Sequence, residues 1–285
     1  MRLDRRGESR GEGAHMLRFT SFPGGCILIG EYLRREDHME IKELYPALIG
    51  YAGQQAGAAE IEYTCIGEQW CLAHAEGVSG LAMHTPVSTV APMFPGGIAG
   101  LQLKEAARAL QSWDLREASF ALAAVNACLN TPERMKELGA YLPASAHYGD
   151  GLELEGRTVG IVGHMRGPKG LREQARKVYV LERSPQPGDY PDSACEELLP
   201  LCDLVIITGS SLINKTLPRL LELSRNAFKI LTGPSVPLWP GLLDMGLDRI
   251  SGLVVTDAAA AKAHVEASVP GNPYKLGESF LLKRR

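Results

Sequence analysis

The chain has 285 residues, of which 45% are hydrophobic and 22% are charged, and its formal net charge is −3 at pH 7. This composition is typical of folded globular proteins, and the balanced charge excludes the strongly basic surface that nucleic acids and anionic membranes bind. Since no run of about 20 apolar residues is present either, we expect a cytoplasmic protein without a nucleic-acid or membrane partner.

Residues 1–38 are rich in Arg, Gly and Glu and have no periodic apolar pattern. This composition predicts a poorly ordered extension. Codons for Arg35-Glu36-Asp37 would resemble a ribosome-binding site, so we hypothesise that the natural chain starts at Met39. The sequence leaves open whether residues 1–38 are translated, and the intact mass of the native protein tests this.

Residues 39–145 predict an α+β domain. Apolar residues at helical spacing after Met39 predict a first helix, although Pro46 weakens that prediction. Short alternating runs near 59–66, 69–75 and 80–84 predict an antiparallel meander. Two Ala-rich helices are expected at roughly 100–111 and 115–129, and a Pro-, Gly- and Ser-rich stretch marks the boundary that follows.

Residues 146–285 predict a second domain with a Rossmann-like parallel sheet. The candidate strands are rich in Leu and β-branched residues, as in strands buried on both faces, and helical stretches between them suit right-handed crossovers. These strands are expected at 157–163, 177–182, 203–208, 228–232 and 251–257. The fold class is therefore α/β overall.

Ligands of open parallel sheets bind beyond the carboxyl ends of the strands. The first strand end has Gly160, Gly163 and Gly167, a phosphate-loop-like pattern that does not match GxGxxG. Glu182 lies 19 residues after Gly163, near the spacing of a ribose-binding acid in dinucleotide folds. Gly163 and Glu182 are weak cofactor-binding candidates, with a plain turn and an ordinary strand-end carboxylate as the alternatives.

Two further strand ends repeat one theme, Thr208-Gly209-Ser210-Ser211 and Thr232-Gly233-Pro234-Ser235. Glycine lets a backbone approach a ligand, and hydroxyls either donate to ligand oxygens or cap the next helix. Both alternatives are open for each hydroxyl, but together they favour a site in a common hollow.

Asn126 places an amide on the apolar stripe of its predicted helix. This side chain either forms a hydrogen bond between the domains or reaches the common hollow. The candidate ligand-binding residues are Asn126, Thr208, Gly209, Ser210, Ser211, Asn214, Thr216, Gly233, Pro234 and Ser235.

No metal ligands or catalytic residues are assigned. Cys195 and Cys202 lack the spacing of a zinc knuckle, and His164 is a lone imidazole. None of the seven histidines lies in a known catalytic motif.

The segments ITGSSLINKTLPRLLELS and LTGPSVPLWPGLLDMGLDRISGLVVTD, with AAVNACLN upstream, resemble the bacterial and archaeal family described as "putative heavy-metal chelation". The resemblance covers roughly residues 39–270. It implies an N-terminal domain similar to that of enolases, a Rossmann-like domain, and an active site between them. The matching residues supply no soft ligand, so a metal would be held by hard oxygen groups or through a bound chelator.

These observations lead to a first hypothesis, a metal-homeostasis protein that binds a small anionic ligand or a metal complex in the cleft between its domains. A metal ion or metal complex is the candidate cofactor. A Rossmann-type enzyme using a nucleotide or S-adenosylmethionine is one alternative, and a non-catalytic assembly protein is another. The sequence leaves open the ligand, whether any reaction is catalysed, and whether the protein is a homo-oligomer.

Overall fold

The computed structural model describes residues 41–143, 148–268 and 272–284. All of these residues belong to one compact unit. The expectations for the extension over residues 1–38 and for a start at Met39 lie outside the described residues. Among the described residues, no helix is long and apolar enough to cross a bilayer.

The N-terminal part has the predicted α+β composition. Its helices are α1 (Leu44–Ala56), α2 (Leu103–Ala106), α3 (Leu115–Leu129) and α4 (Pro132–Glu137). Its strands are β1 (Tyr63–Ile66), β2 (Trp70–Ala75) and β3 (Val78–Met83), which form an antiparallel sheet in the order β1-β2-β3. Pro46 is compatible with α1 because it lies in the first turn, where a missing N–H breaks no helical hydrogen bond.

Helix α3 is the core of this part. The Asp114 carboxylate caps it by accepting a hydrogen bond from the Glu117 N–H at 2.8 Å. Its Ala-rich surface is almost wholly buried and packs across β2 and β3. Small side chains allow this close approach, so α3 fixes where the ends of β2 and β3 lie.

The second part is a larger, mostly parallel sheet. Its strands are β4 (Thr158–Val162), β5 (Lys177–Glu182), β6 (Tyr190–Pro191), β7 (Leu204–Thr208), β8 (Phe228–Thr232), β9 (Arg249–Val255) and β10 (Gly277–Lys283). They lie in the order β10-β9-β8-β7-β4-β5-β6, and only the β9–β10 pair is antiparallel. The predicted strands are confirmed as β4, β5, β7, β8 and β9, whereas β6 and β10 were not predicted.

Short helices connect these strands, namely α5 (Leu171–Gln174), α6 (Cys195–Leu198), α7 (Leu217–Leu223), α8 (Gly241–Asp244) and α9 (Ala258–Glu266). The chain runs from β4 outward to β5 and β6, and then returns to β7 on the other side of β4. The strand order therefore reverses between β4 and β7. This mixed α/β architecture confirms the predicted Rossmann-like fold class, and the similarity to the enolase N-terminal domain stays a prediction.

Side chains from both parts share hydrophobic clusters. Leu72 and Leu81 of the antiparallel sheet pack with Leu253, Ala261 and Val265 of the second part. Buried polar ties add to this packing, as described below. The division into domains at residues 39–145 and 146–285 stays a prediction.

Candidate functional site

The reversal of strand order places a crevice at the carboxyl ends of β4 and β7, the position where ligands bind in open α/β sheets. Two cavities lie at this edge. One, of about 530 Å³, is walled by the ends of β4, β5 and β7, and we call it the β4–β7 cavity. The other, of about 890 Å³, reaches the end of β8, and we call it the β8 cavity. Met83, His164 and Thr208 line both, so the two cavities adjoin.

The two Thr-Gly strand ends lie side by side, as the sequence predicted. Thr208 of β7 pairs with Thr232 of β8 in parallel register. Both threonines line the β8 cavity, together with Gly233 and Pro234. Two neighbouring strands thus bring hydroxyl groups and a glycine backbone to one hollow.

The loop after β7 lines the β4–β7 cavity with five of the predicted residues, Thr208, Ser210, Ser211, Asn214 and Thr216. The hydroxyls of Thr208 and Ser210 are 3.1 Å apart and bond to each other. The Asn214 side-chain oxygen accepts hydrogen bonds from the Thr216 hydroxyl at 2.6 Å and the Thr216 N–H at 3.1 Å. This arrangement leaves the Asn214 amide N–H groups as donors for a ligand.

Three of the predicted residues, Asn126, Gly209 and Ser235, do not line these cavities. The Asn126 amide nitrogen donates to the Leu81 carbonyl at 2.8 Å, and the Ser235 hydroxyl accepts from the Met83 N–H at 2.8 Å. Gly209 is buried against Ser235. The Ser235–Met83 bond, with a bond from Asn126 to the Pro234 carbonyl at 3.4 Å, holds the β2–β3 hairpin against the loop after β8.

The weak cofactor candidates, Gly163 and Glu182, both line the β4–β7 cavity. The Glu182 carboxylate accepts hydrogen bonds from the N–H groups of His164 at 2.8 Å and Arg183 at 2.7 Å, so it fastens the loop after β4. The helix that follows this loop, α5, has only four residues. It therefore lacks the dipole with which longer helices bind a pyrophosphate. A ribose-binding role for Glu182 stays a prediction.

Charges differ between the two cavities. In the wall of the β4–β7 cavity, Arg183 lies 3.3 Å from the Asp192 carboxylate, and Arg219 bonds to Glu196 at 2.9 Å. The β8 cavity is lined by Arg166 and Lys275. Neither of these two cations forms an ion pair with another residue of the described ranges, and because the Glu68 carboxylate also lines this cavity, its wall keeps only a small excess of positive charge.

Lys215 does not add to this charge. Its ammonium group donates to the Ile213 carbonyl at 2.9 Å and lies 5.5 Å from the centre of the Tyr45 ring. Burial lowers the pKa of Lys215 to about 8. This lysine packs against α1 and is not part of either cavity wall.

The protein groups at the site do not form a ready metal centre. No cluster of three or more His, Cys, Asp or Glu side chains suited to a metal occurs within the described part of the chain. Cys195 lines the β4–β7 cavity, and burial, with Asp192 and Glu196 nearby, raises the pKa of its thiol to about 11. Burial therefore favours the neutral thiol over the thiolate that binds a metal.

Sequence reasoning missed two features of this region. Asn130, at the end of α3, donates to the Val236 and Leu253 carbonyls and accepts from the Leu238 N–H at 2.7 Å. Its position four residues after Asn126 was the only available signal. The second feature is a hydrogen bond between His164 and Asp189, which no local pattern indicates because the two residues are 25 positions apart.

The fold and these cavities define a Rossmann-like α/β protein with two adjoining cavities at the reversal of its strand order. More specifically, the chain belongs to the family described as "Putative heavy-metal chelation". One family model of that description, DUF4213, matches residues 49–129, and a second, DUF364, matches residues 151–277.

Solved structures of similar proteins support this assignment. The chain is 36% identical to a DUF364-family protein of unknown function from Desulfitobacterium hafniense, with a TM-score of 0.74 over 86% of this chain and 98% of that one. A DUF364-family protein of unknown function from Pyrococcus horikoshii is 22% identical, with a TM-score of 0.71 over 85% of this chain and 100% of that one. At that identity the second likeness shows the fold alone.

A curated relative is "Uncharacterized protein MJ0500" from Methanocaldococcus jannaschii. It is 29% identical over 176 residues, which are 58% of this chain and 64% of the relative. The match therefore spans somewhat less than two thirds of the relative's length.

Proposed function

We propose that the chain is a cytoplasmic metal-homeostasis protein that binds a small anionic metal complex in the β4–β7 and β8 cavities. In this proposal the cleft lies between the end of the β2–β3 hairpin and the carboxyl edge of the parallel sheet. The observation that carries the proposal is the position of Thr208. Its side chain lines both cavities and lies beside Thr232, so one ligand can contact hydroxyls of two strands.

The chemistry of the walls favours an oxygen-rich anion. Hydroxyls of Thr208 and Ser210 and the Asn214 amide are donors suited to carboxylate or hydroxyl oxygens. Arg166 and Lys275 supply positive charge at the β8 cavity. Charge-assisted hydrogen bonds of this kind are roughly twice as strong as those between neutral groups.

The ligand, and not the protein, supplies most of the metal's coordination sphere in this proposal. The described residues offer no cluster of three or more His, Cys, Asp or Glu side chains suited to a metal, and burial disfavours the thiolate of Cys195. Hard ions such as Fe³⁺ prefer oxygen ligands, which a hydroxycarboxylate chelator provides. The family description is consistent with a metal-bearing ligand.

Calorimetry with the Fe³⁺–citrate complex, citrate alone and Ni²⁺ alone tests the proposal. We expect the complex to bind and the double variant Thr208→Val/Ser210→Ala to weaken binding about tenfold or more, since two donor groups are lost. Thr64→Val, on β1 and outside both cavities, is the matched control and keeps full affinity. Equal affinity in the double variant would remove the loop after β7 from the site.

The β4–β7 cavity favours a second candidate, an enzyme that uses a nucleotide or S-adenosylmethionine. Gly163 and Glu182 line this cavity at the reversal of strand order, where such cofactors bind in doubly wound folds. A ligand at 100 times its dissociation constant stabilises the fold by about 2.7 kcal/mol. A thermal shift with ATP, NAD or S-adenosylmethionine, and none with metal complexes, would replace the first proposal by this one.

A further inference from the structure

We propose that His164, held by Asp189, is a proton acceptor that takes a proton from an O–H or N–H group of the bound ligand. The His164 side chain is 39% exposed and lines both the β4–β7 and the β8 cavity. It lies where the cavities adjoin, beside Thr208. A ligand that contacts the two Thr-Gly strand ends therefore also meets this imidazole.

The hydrogen bond to Asp189 determines which ring nitrogen is basic. The His164 Nε2 atom bonds to a carboxylate oxygen of Asp189. An ionised carboxylate only accepts hydrogen bonds, so Nε2 carries the hydrogen and Nδ1 carries the lone pair of the neutral ring. Nδ1 has no hydrogen-bond partner among the residues that the structure describes, and is thus available to a ligand.

Asp189 is itself fixed and ionised. Its side chain is only 12% exposed, and the same oxygen accepts a hydrogen bond from the Gln186 N–H at 2.8 Å. This backbone bond, together with His164, lowers the pKa of the Asp189 carboxyl. Pro185 and Pro187 flank Gln186 and restrict the backbone of the loop that carries Asp189.

The backbone under the imidazole is fixed as well. The His164 N–H donates to Glu182 at 2.8 Å, and the Gly163 N–H donates to the Leu181 carbonyl at 2.9 Å. The main chain is therefore tied to the end of β5, and the ring is tied to Asp189 in the loop between β5 and β6. Such double anchoring is what a proton-transfer group requires to hold its geometry.

The proton step is balanced without any further reagent. The ligand O–H or N–H bond breaks, its electron pair stays on the ligand atom, and the proton forms a bond with Nδ1 of His164. The resulting imidazolium is neutralised by the Asp189 carboxylate, and the proton later passes to solvent. This inference rests on the proposed function and deepens it, because a chelator group that binds a metal as an anion must first lose its proton. It specifies a chelator whose donor group carries a proton when free.

Carbethoxylation with diethyl pyrocarbonate, mapped by mass spectrometry on the full chain, tests the pair without any ligand. We expect His164 to be modified much faster than the buried His74, because its Nδ1 lone pair is free and accessible. Asp189→Asn keeps the side-chain shape but removes the negative charge that stabilises the positive charge forming on the ring, and should slow modification of His164 about tenfold. Asp192→Asn alters a carboxylate of the same cavity that pairs with Arg183, and should leave the rate unchanged.

A spectroscopic measurement separates this role from a merely structural one. In protein labelled with ¹⁵N-histidine, we expect a protected Nε2–H resonance of His164 that is lost in Asp189→Ala, which removes the acceptor. The inference would be overturned if His164 is reactive but shows no such resonance. It would also be overturned if Asp189→Asn and Asp192→Asn give equal rates of His164 modification. Failure of the Fe³⁺–citrate complex to bind would instead overturn the proposed function, and the His164–Asp189 result would stand.

Discussion

Lys215 illustrates how a polar residue near a site can serve packing alone. It is one of the few non-glycine residues with a positive φ, at +66°, and its ammonium group packs over Tyr45. Burial lowers its pKa from 10.5 to about 8. The charged form is therefore less stable in the folded protein than in the unfolded chain.

Lys215→Met should reveal this in the pH dependence of stability. Between pH 8 and 10.5 the unfolded wild-type chain binds more protons than the folded protein, so its free energy of unfolding rises with pH. Relative to Lys215→Met, which has no titratable group, the wild type should gain about 2 kcal/mol across this window. Urea unfolding of both proteins from pH 7 to 10.5 measures the difference, and a constant difference would contradict the shift.

For single residues, the sequence predicted which side chains follow the strands but not what each side chain contacts. Thr208 and Thr232 were predictable because a glycine and hydroxyls after a buried strand are typical of ligand loops. Asn126 and Ser235 are also short polar residues near these strand ends, yet both form buried hydrogen bonds and line neither cavity. The partnership of His164 with Asp189 depends on the adjacency of β4 and β5, which local sequence does not encode.

At the scale of the elements, β3 and α3 are in close contact at Gly80. A Cβ atom at this position would lie 2.2 Å from the Ala123 carbonyl oxygen and 2.2 Å from the Ala127 nitrogen. These are backbone atoms of a buried helix and cannot move aside as a flexible side chain could. The fold therefore requires glycine here for packing.

Gly80→Ala should destabilise the protein by about 3 kcal/mol, since overpacking in a rigid core forces the backbone apart. Gly50→Ala is the matched control, because Gly50 is exposed in α1 and a Cβ atom added there would meet no other atom within 4 Å. It should instead stabilise by up to about 1 kcal/mol through helix propensity. Urea unfolding measures both, and a loss at Gly80 no larger than that of ordinary surface variants would refute the packing argument.

Most elements could be predicted because their hydrophobic periodicity is local. The alternation of side chains along β1 and β2 places Cys65 and Cys71 on opposite faces of this sheet. Cys65 packs with Trp70 and Leu72, whereas Cys71 is in the main core. Strand β10 was missed because its assignment depends on antiparallel pairing with β9 at the sheet edge. Such pairing is a tertiary contact, which periodicity does not report.

For the molecule as a whole, the sequence predicted two domains, and the structure shows how strongly the two parts are joined. Asn130 at the end of α3 satisfies three backbone groups of the second part, the carbonyls of Val236 and Leu253 and the N–H of Leu238. Asn130 is 3% exposed, so water cannot replace these bonds. Both cavities have walls from the two parts of the molecule, and the Asn130 hydrogen bonds hold these parts in fixed relative positions.

Asn130→Ala should therefore destabilise both parts together, by about 3 kcal/mol, because three buried polar groups lose their partner. Hydrogen exchange monitored in β3 and β8 measures the effect, and both strands should lose the same protection if the described residues unfold as one unit. Asn272→Ala, which removes an exposed cap, is the control and should change stability by less than about 0.5 kcal/mol. Loss of protection confined to β8 would mean that the parallel sheet unfolds independently, and that the cleft joins two separable domains.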